Sequence, residues 1–310
     1  MSDAAPVYDV IIIGGGPAGL TAALYAGRAR LKTVVLEKGV PGGQAASTDL
    51  IDNYPGFPKG ITGPELSQLL EEQARKFEAE IVYTEVEKVQ KTDALFEVQT
   101  LDGPYTGRTV IVATGANPVT LDVPGESELR GRGVSYCATC DGAFFKDKAV
   151  AVVGGGDSAL TEGMFLTKFA SSVTVIHRRD QLRAVKSLQE EAFANPKFRF
   201  IWNTVVRRIE GQGKVERLVL WDKVQQKESL LPVDGVFIYV GMRPNTAFLE
   251  GFLPLAEGGY IAADARQRTS IPGLFAAGDV CQKPLRQLVT AVADGAVAAA
   301  EAEKYIEGRD

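Results

Sequence analysis

The sequence has few of the residues on which many catalytic and metal sites depend. Its 310 residues include three cysteines and one histidine, His177. A single histidine makes a histidine-dependent hydrolase or a histidine-rich metal site a poor interpretation. Three cysteines cannot build the disulfide framework of a small secreted protein.

Long apolar runs and clusters of like charge are also missing. Short apolar runs such as Val10 to Ile13 fall far below the ~18 residues of a membrane-spanning helix. The net charge is −5, and no run of five like charges suggests nucleic-acid binding. The first basic residue is Arg28, so the N-terminus lacks the basic region of a signal peptide. We therefore expect a cytoplasmic protein that binds neither membrane nor nucleic acid.

The most informative feature that is present is an internal echo. Segments beginning at Tyr8 and at Lys148, 140 positions apart, align without a gap. Each has the pattern of a buried strand, a glycine turn, a helix and a second strand, which is the βαβ unit of a doubly wound parallel sheet. The sequence therefore predicts an α/β protein with two Rossmann-like dinucleotide-binding domains.

The order of segments predicts that one domain is inserted into the other. A helix is predicted from Gly63 to Ala79, and each echo is followed by a β-rich stretch. The last segment has no glycine motif of its own and ends in an alanine-rich helix from about Gln287, so we expect it to pack onto the first half. Residues 1–116 and 245–310 would then form one discontinuous domain around residues 117–244, with crossings near Asn117 and Gly241.

The first echo has the spacing of a dinucleotide-binding loop. Gly14 permits a tight turn, Gly16 lets a pyrophosphate approach the backbone, and Gly19 permits close helix packing. Glu37 ends the next strand, where a carboxylate accepts hydrogen bonds from a ribose diol. A glycine turn without a ligand is the less favoured alternative.

The second echo differs from the first where the adenosine ribose would bind. Its motif keeps two glycines and has alanine in the third place, a change that the motif tolerates. The acid is replaced by histidine, and three arginines follow, which suits a 2′-phosphate because guanidinium groups bind phosphate oxygens in pairs. We expect NADPH rather than NADH here; a solvated basic patch is the alternative. The residues assigned are Gly154, Gly156, Ala159, His177, Arg178, Arg179 and Arg183.

The two remaining informative residues form a C-x-x-C pair, Cys137 and Cys140. Only Cys281 and His177 are left to complete a zinc site, and their spacing does not suit one. The spacing does suit a redox dithiol, in which one thiolate attacks and the other resolves. Asp141 follows directly and could donate a proton if burial raises its pKa. Two buried structural cysteines remain the alternative.

With these residues assembled, the chain resembles the bacterial and archaeal low-molecular-weight thioredoxin reductases along essentially its whole length. The motif CATCDG together with HRRDQLRA carries most of the specificity. Further matching segments are GGGPAGLTAALYAGRA, PGGQ, NYPGFP, TGPEL, ATGANP, VVGGGDSA, GMRPNT, PGLFAAGDV and RQLVTAVADG.

The resemblance implies FAD in the first domain, NADPH in the second, a thioredoxin or thioredoxin-like partner, and a homodimer. It implies that Cys140 faces the flavin, that Cys137 attacks the partner disulfide, and that one domain rotates against the other to alternate the donors. It also assigns Gln44, Asn53, Asp279, Arg286 and Gln287 to FAD, and Asp157 and Ser158 to NADPH.

The sequence departs from the common family pattern at Thr161, Gly163 and Met242. Gly163 is expected to weaken its helix by up to ~1 kcal/mol relative to alanine, and Cys281 is expected to be an inert buried residue. Three alternatives remain: a glutaredoxin-like or peroxidase-linked partner, the same fold with an electron donor other than NADPH, and a nucleotide-binding redox sensor that does not turn over.

Overall fold

The computed structural model describes residues 6–309 apart from residues 49, 52 and 93. The chain divides into two compact units: unit 1 comprises Met1–Asn117 and Arg243–Asp310, and unit 2 comprises Pro118–Met242. The two short strands β7 (Ala116–Pro118) and β16 (Met242–Pro244) lie at the chain crossings. Residues 1–5 and 310, which the sequence assigned to the first domain, lie outside the described residues.

Unit 1 is built on a seven-stranded sheet and three helices. The strands are β1 (Val7–Ile13), β2 (Thr33–Glu37), β3 (Glu80–Tyr83), β4 (Val86–Lys91), β5 (Phe96–Thr100), β6 (Gly103–Val112) and β17 (Leu274–Ala276); the helices are α1 (Pro17–Arg28), α2 (Gly63–Lys76) and α6 (Leu288–Ile306). The strand order is β3-β2-β1-β6-β5-β4, and β17 also pairs with β6. Strands β1, β2, β3, β6 and β17 pair in parallel, whereas β4 and β5 form an antiparallel extension.

Strand β1 is apolar on both faces because both faces of the sheet are covered. Val10 and Ile12 belong to the core that includes residues of α1 and α6, and Ile11 and Ile13 belong to the opposite core around Phe96. A continuous apolar run is what a central parallel strand requires. The turn after β1 is thereby held at the carboxyl end of the sheet, where nucleotides bind in such folds.

Unit 2 repeats this arrangement with a smaller parallel sheet. The elements are β8 (Val134–Ser135), α3 (Ala138–Asp141), β9 (Ala149–Gly154), α4 (Asp157–Leu166), β10 (Ser172–Ile176), α5 (Lys186–Ala194), β11 (Phe198–Ile201), β12 (Thr204–Glu210), β13 (Arg217–Asp222), β14 (Lys227–Pro232) and β15 (Gly235–Tyr239). Five strands form the parallel sheet in the order β11-β10-β9-β15-β8, and β12, β13 and β14 form a separate antiparallel sheet.

The predicted fold class is confirmed. Elements β1, α1 and β2 recur as β9, α4 and β10, with β1 paired in parallel to β2 and β9 to β10. The helix predicted from Gly63 to Ala79 is present but ends at Lys76, because Glu78 adopts a left-handed φ of 63°. No helix within the described part of the chain is long and apolar enough to cross a membrane.

Candidate active site and nucleotide-binding sites

Cys137 and Cys140 form a disulfide, with their Cα atoms 5.3 Å apart. Cys137 caps the single turn of α3, and its Sγ accepts a hydrogen bond from the Cys140 N–H at 3.2 Å. The Ser135 hydroxyl accepts from the Cys137 N–H at 3.1 Å. Both cysteines are half-buried. The N–H aimed at Cys137 Sγ favours a thiolate there once the disulfide is reduced.

Asp141 ends α3, and its N–H donates to the Cys137 carbonyl at 3.1 Å. On the other side of the turn, the Tyr239 hydroxyl accepts from the Ala138 N–H at 2.6 Å. Burial raises the pKa of Tyr239 well above its ordinary value, and the carboxyls of Glu162 and Asp141 raise it further. Tyr239 therefore keeps its proton, and Asp141 lies near enough for its charge to affect the Tyr239 hydroxyl.

Glu162 is a residue that sequence reasoning missed. It lies on α4 beside the buried residues Ala159 and Gly163, and its Oε2 is buried with no hydrogen-bond partner among the described residues. Burial raises the pKa of Glu162, although the N–H groups of Thr139 and Ala138 and the Tyr239 hydroxyl partly offset the rise. A carboxylate next to an apolar helical stripe was the signal available in the sequence.

The three positions of the first loop are occupied by glycine for different physical reasons. A Cβ on Gly14, whose φ is +103°, would lie 2.6 Å from the Ala113 carbonyl oxygen, and one on Gly19 would lie 1.9 Å from the Gly14 oxygen. A Cβ on Gly16 would meet nothing within 4 Å. Gly14 and Gly19 are therefore required by the fold, whereas the space beside Gly16, at the start of α1, is open to a ligand.

Glu37 is fixed where β2 ends. Its two carboxylate oxygens accept hydrogen bonds from Gly15 N–H at 2.6 Å and from Gly39 N–H at 2.7 Å. A carboxylate has about four acceptor positions. The side chain is thus oriented by the loop and retains lone pairs for a ribose diol.

A second group of candidate residues in unit 1 surrounds the start of α6. Asn53 Nδ2 donates to Gln287 Oε1 at 3.1 Å, and Gln287 caps α6. Asp279 Oδ1 and Arg286 Nε are buried without a hydrogen-bond partner among the described residues. Such orphaned polar atoms fit a cofactor that supplies the missing partners. Gln44 instead donates to Asn117 Oδ1 at 2.6 Å.

The charge of Asp279 is balanced by a lysine that sequence reasoning did not identify. Burial raises the pKa of Asp279, and the charges of Lys283 and Arg286 partly offset the rise. Lys283 Nζ lies 3.8 Å from Asp279 Oδ1 and 2.6 Å from Asp294 Oδ2, and its side chain is only 13% exposed. Its spacing of four residues from Asp279 was the available signal.

The second glycine loop repeats the geometry of the first. A Cβ on Gly154 would lie 2.5 Å from the Tyr239 oxygen and 2.8 Å from the Ala159 Cβ, so Ala159 must be small. Gly156 again faces open space, with Arg183 Nη2 as its nearest neighbour at 3.9 Å from a built Cβ. Asp157 Oδ1 accepts from the Val185 N–H at 2.8 Å. The neighbouring Ser158 is exposed.

His177 is buried directly beneath this loop, and the arginines are at the surface. Burial lowers the pKa of His177, and the charges of Arg183 and Arg179 lower it further. Its Nε2 is buried with no hydrogen-bond partner within the described residues. Arg178, Arg179 and Arg183 are exposed, and the Arg183 N–H donates to the Gly155 oxygen at 2.6 Å. The site thus has a buried neutral imidazole with three exposed arginines around it.

The departures from the family pattern differ in their surroundings. Gly163 is buried, and a Cβ there would lie 3.1 Å from Phe198 Cζ, so the glycine lets α4 approach β11 closely. Thr161 and Met242 are exposed. Cys281 is buried, and burial raises its pKa to about 12. The described residues contain no group of three or more His, Cys, Asp or Glu side chains that could hold a metal ion.

Comparison with known proteins agrees with this geometry. Residues 8–295 match the pyridine nucleotide-disulphide oxidoreductase family. Thioredoxin reductase of Bacillus subtilis is 51% identical over 302 residues, which is 97% of this chain and 95% of that protein. Thioredoxin reductase of Listeria innocua is 51% identical over 99% of this chain and 96% of its own length.

Solved structures give the same result. The crystal structure of thioredoxin reductase from Streptococcus pyogenes superposes with a TM-score of 0.94 at 49% identity, covering 98% of this chain and 100% of that chain. Thioredoxin reductase from Giardia duodenalis gives 0.92 at 36% identity, covering 97% and 99%. The chain therefore belongs to the pyridine nucleotide-disulphide oxidoreductase family and, within it, to the FAD- and NADPH-dependent low-molecular-weight thioredoxin reductases.

Proposed function

We propose that this protein reduces the disulfide of a thioredoxin with electrons from NADPH, through its own Cys137–Cys140 disulfide. The observation that carries the proposal is this disulfide, which spans one helical turn beside Asp141 in a chain that has two nucleotide-type glycine loops. Bound FAD supplies the two-electron chemistry that links NADPH to the disulfide.

Unit 1 is the proposed FAD domain and unit 2 the proposed NADPH domain. In unit 1 a bound dinucleotide is supported by the open space beside Gly16 and by the buried atoms Asp279 Oδ1 and Arg286 Nε, which have no hydrogen-bond partner among the described residues. In unit 2 the support comes from the open space beside Gly156 and from the exposed arginines around it. The other residues that the sequence analysis assigned to FAD or to NADPH are kept in this proposal.

The cysteines and Asp141 carry out the exchange with the partner. The thiolate of Cys137 attacks one sulfur of the partner disulfide, forming a mixed disulfide and releasing the second partner sulfur as a thiolate. Asp141 donates a proton to a departing thiolate. Cys140 then attacks Cys137 Sγ, which releases the second partner thiol and restores the Cys137–Cys140 disulfide.

We further propose that the protein is a cytoplasmic homodimer. A dithiol that must be reduced in each cycle suits a reducing compartment. Helices α1 and α6 expose the apolar side chains of Tyr25, Val289 and Val297, which are 48%, 43% and 37% accessible. Exposed apolar side chains on neighbouring elements are typical of an interface between subunits.

The proposed function is tested with the purified flavin-loaded protein under anaerobic conditions. NADPH is expected to bleach the flavin absorbance, and addition of thioredoxin from the same organism is expected to restore it as thioredoxin is reduced. A glutaredoxin-like protein and a thiol peroxidase serve as alternative acceptors. Absence of bleaching would overturn the assignment of NADPH, and faster turnover with another acceptor would overturn the assignment of thioredoxin.

Gly16→Ala is expected to lower the affinity for FAD at least about tenfold without unfolding the protein. The backbone of Gly16 is extended, with φ −72° and ψ −179°, and a Cβ meets no protein atom within 4 Å. The methyl group instead occupies the space proposed for the pyrophosphate. The ratio of bound flavin to protein after gel filtration, together with the melting temperature of the flavin-free protein, measures both effects. Full flavin occupancy in the variant would contradict the assignment.

A further inference from the structure

The turn that carries the disulfide rests on a tyrosine and a glutamate that the exchange chemistry above does not use. Ala138 and Thr139 stand between the two cysteines, and the Ala138 N–H donates to the Tyr239 hydroxyl at 2.6 Å. Tyr239 ends β15, which pairs with β9 in the centre of the sheet of unit 2. The backbone between the cysteines is thus tied to the parallel sheet of the unit.

Glu162 approaches the same turn from α4, which packs against α3. Its Oε2 is sealed from solvent without a hydrogen-bond partner in the described part of the chain. Burial raises the pKa of its carboxyl, and the nearby N–H groups of Thr139 and Ala138 and the Tyr239 hydroxyl partly offset the rise. A buried carboxyl costs free energy that an apolar side chain in its place would not. A structural role in packing therefore does not explain why glutamate stands here.

The charged surroundings of Glu162 are few. Among the elements packed against α4, helix α3 contributes Asp141 and, after reduction, the two cysteines, while β15 contributes Tyr239. Strands β9 and β10 and the short helix Gly142–Phe145 carry no titratable side chain. Helix α5 carries exposed Lys186, Glu190 and Glu191. In the disulfide form the pKa of Glu162 is therefore raised chiefly by burial, and reduction of the disulfide would add a new charge on α3, the element packed against α4.

We propose that Glu162 and Tyr239 together set how readily the Cys137–Cys140 disulfide is reduced: Tyr239 holds the backbone of the turn, and Glu162 contributes its charge. This inference rests on the proposed function, because it assigns a role around the same disulfide. The hydrogen bond to the turn is made by Tyr239, and Glu162 acts through its charge.

The charge of Glu162 couples proton uptake to reduction. Two electrons and one proton convert the disulfide to one thiol and one thiolate. The new thiolate repels an ionised Glu162 and so raises the pKa of its carboxyl. Where Glu162 is ionised in the disulfide form, reduction therefore favours uptake of a second proton from solvent, by the carboxylate. An ionised Glu162 thus opposes reduction, whereas a neutral side chain at this position does not.

The sign of the pH dependence follows from this coupling. At low pH, Glu162 is protonated, and a neutral substitute behaves as the native residue does. As the pH rises through its raised pKa, the wild-type disulfide becomes harder to reduce than that of a neutral variant. The difference between the two proteins must therefore grow with pH, which a purely structural defect would not produce.

The test equilibrates the flavin-loaded protein with mixtures of reduced and oxidised dithiothreitol between pH 6 and pH 8.5 and counts thiols by alkylation. Glu162→Gln is expected to differ least from wild type at the lowest pH and to favour the dithiol increasingly as the pH rises, by about tenfold at pH 8.5, or about 30 mV for a two-electron couple. Tyr239→Phe is expected to shift the equilibrium equally at every pH. The matched control Glu190→Gln, an exposed glutamate of α5, is expected to change nothing.

A pH-independent difference for Glu162→Gln, or none, would overturn the proposal, as would an equal shift in Glu190→Gln. If Glu162→Gln does not fold, the deciding measurement is the infrared difference spectrum on reduction at pH 8 in an Asp141→Asn background. A gain in protonated-carboxyl absorbance supports the proposal, and no gain overturns it. Neither experiment contains NADPH or thioredoxin, so a failed thioredoxin assay and a failed role for Glu162 give separate results.

Discussion

Cys137→Ser is expected to retain flavin bleaching by NADPH and to lose thioredoxin reduction by at least about 10³-fold. A serine hydroxyl does not attack a disulfide at neutral pH, so the step that engages the partner is removed. Serine also suits the position, because Cys137 caps α3 and accepts a hydrogen bond from the Cys140 N–H, which a serine oxygen can accept equally. The rates of NADPH-dependent bleaching and of thioredoxin reduction, measured on one preparation, separate the two half-reactions.

Cys281→Ser is the matched control for this experiment. Cys281 is buried, and its thiol has a pKa of about 12, so it carries almost no thiolate at neutral pH. Both half-reactions are expected to stay within about twofold of wild type. Loss of flavin bleaching in Cys137→Ser would contradict the assigned order of the two cysteines. Thioredoxin reduction surviving in that variant would show that another group attacks the partner.

The repeated βαβ unit was predictable because its determinants are local. Val10 and Ile12 face one core and Ile11 and Ile13 the other, so the buried strand is a continuous apolar run that is visible without a structure. The glycine loops follow the same logic, since the tight turn after each strand excludes a Cβ. Spacing alone therefore indicated where β1 and β9 end and where their helices begin.

The support behind the disulfide was not predictable in this way. Glu162 and Tyr239 are brought to the turn at Ala138 by the packing of α4 on α3 and by the position of β15 in the sheet. No sequence spacing links these three places. Glu162 stands between Thr161 and Gly163, which drew attention only as departures from a family pattern.

Gly163 shows how propensity alone misleads. An isolated glycine in a helix is expected to weaken it. In the structure the absence of a side chain brings Phe198 within 3.1 Å of the built Cβ position, and Phe198 belongs to the core between α4 and the sheet. The conformational cost is thus offset by close packing that the one-dimensional pattern does not show.

Replacing Arg178 and Arg179 together with glutamine is expected to raise the KM for NADPH about 10- to 100-fold and that for NADH less than about twofold. Each lost charge-assisted hydrogen bond to a 2′-phosphate costs roughly 1.5 kcal/mol or more. Both side chains are exposed, but both backbone carbonyls accept hydrogen bonds. The Arg178 carbonyl accepts from Lys223 Nζ at 3.5 Å, and the Arg179 carbonyl accepts from the Asn203 N–H at 3.1 Å. The loop should therefore keep its shape, and kcat at saturating NADPH should change little.

Arg199→Gln provides the matched control, since Arg199 is an exposed arginine of β11 in the same unit. If the two arginines contact the 2′-phosphate, the rise in KM is confined to NADPH, and Arg199→Gln leaves both cofactors unaffected. If they act only as a solvated basic patch, the KM rises alike for NADPH and NADH, because the field of exposed charges acts on any anion. The first outcome is favoured by the residue at the end of the second strand of each unit, which is Glu37 after β2 and His177 after β10. A carboxylate would repel a phosphate, whereas an imidazole whose pKa is lowered by burial is neutral and does not.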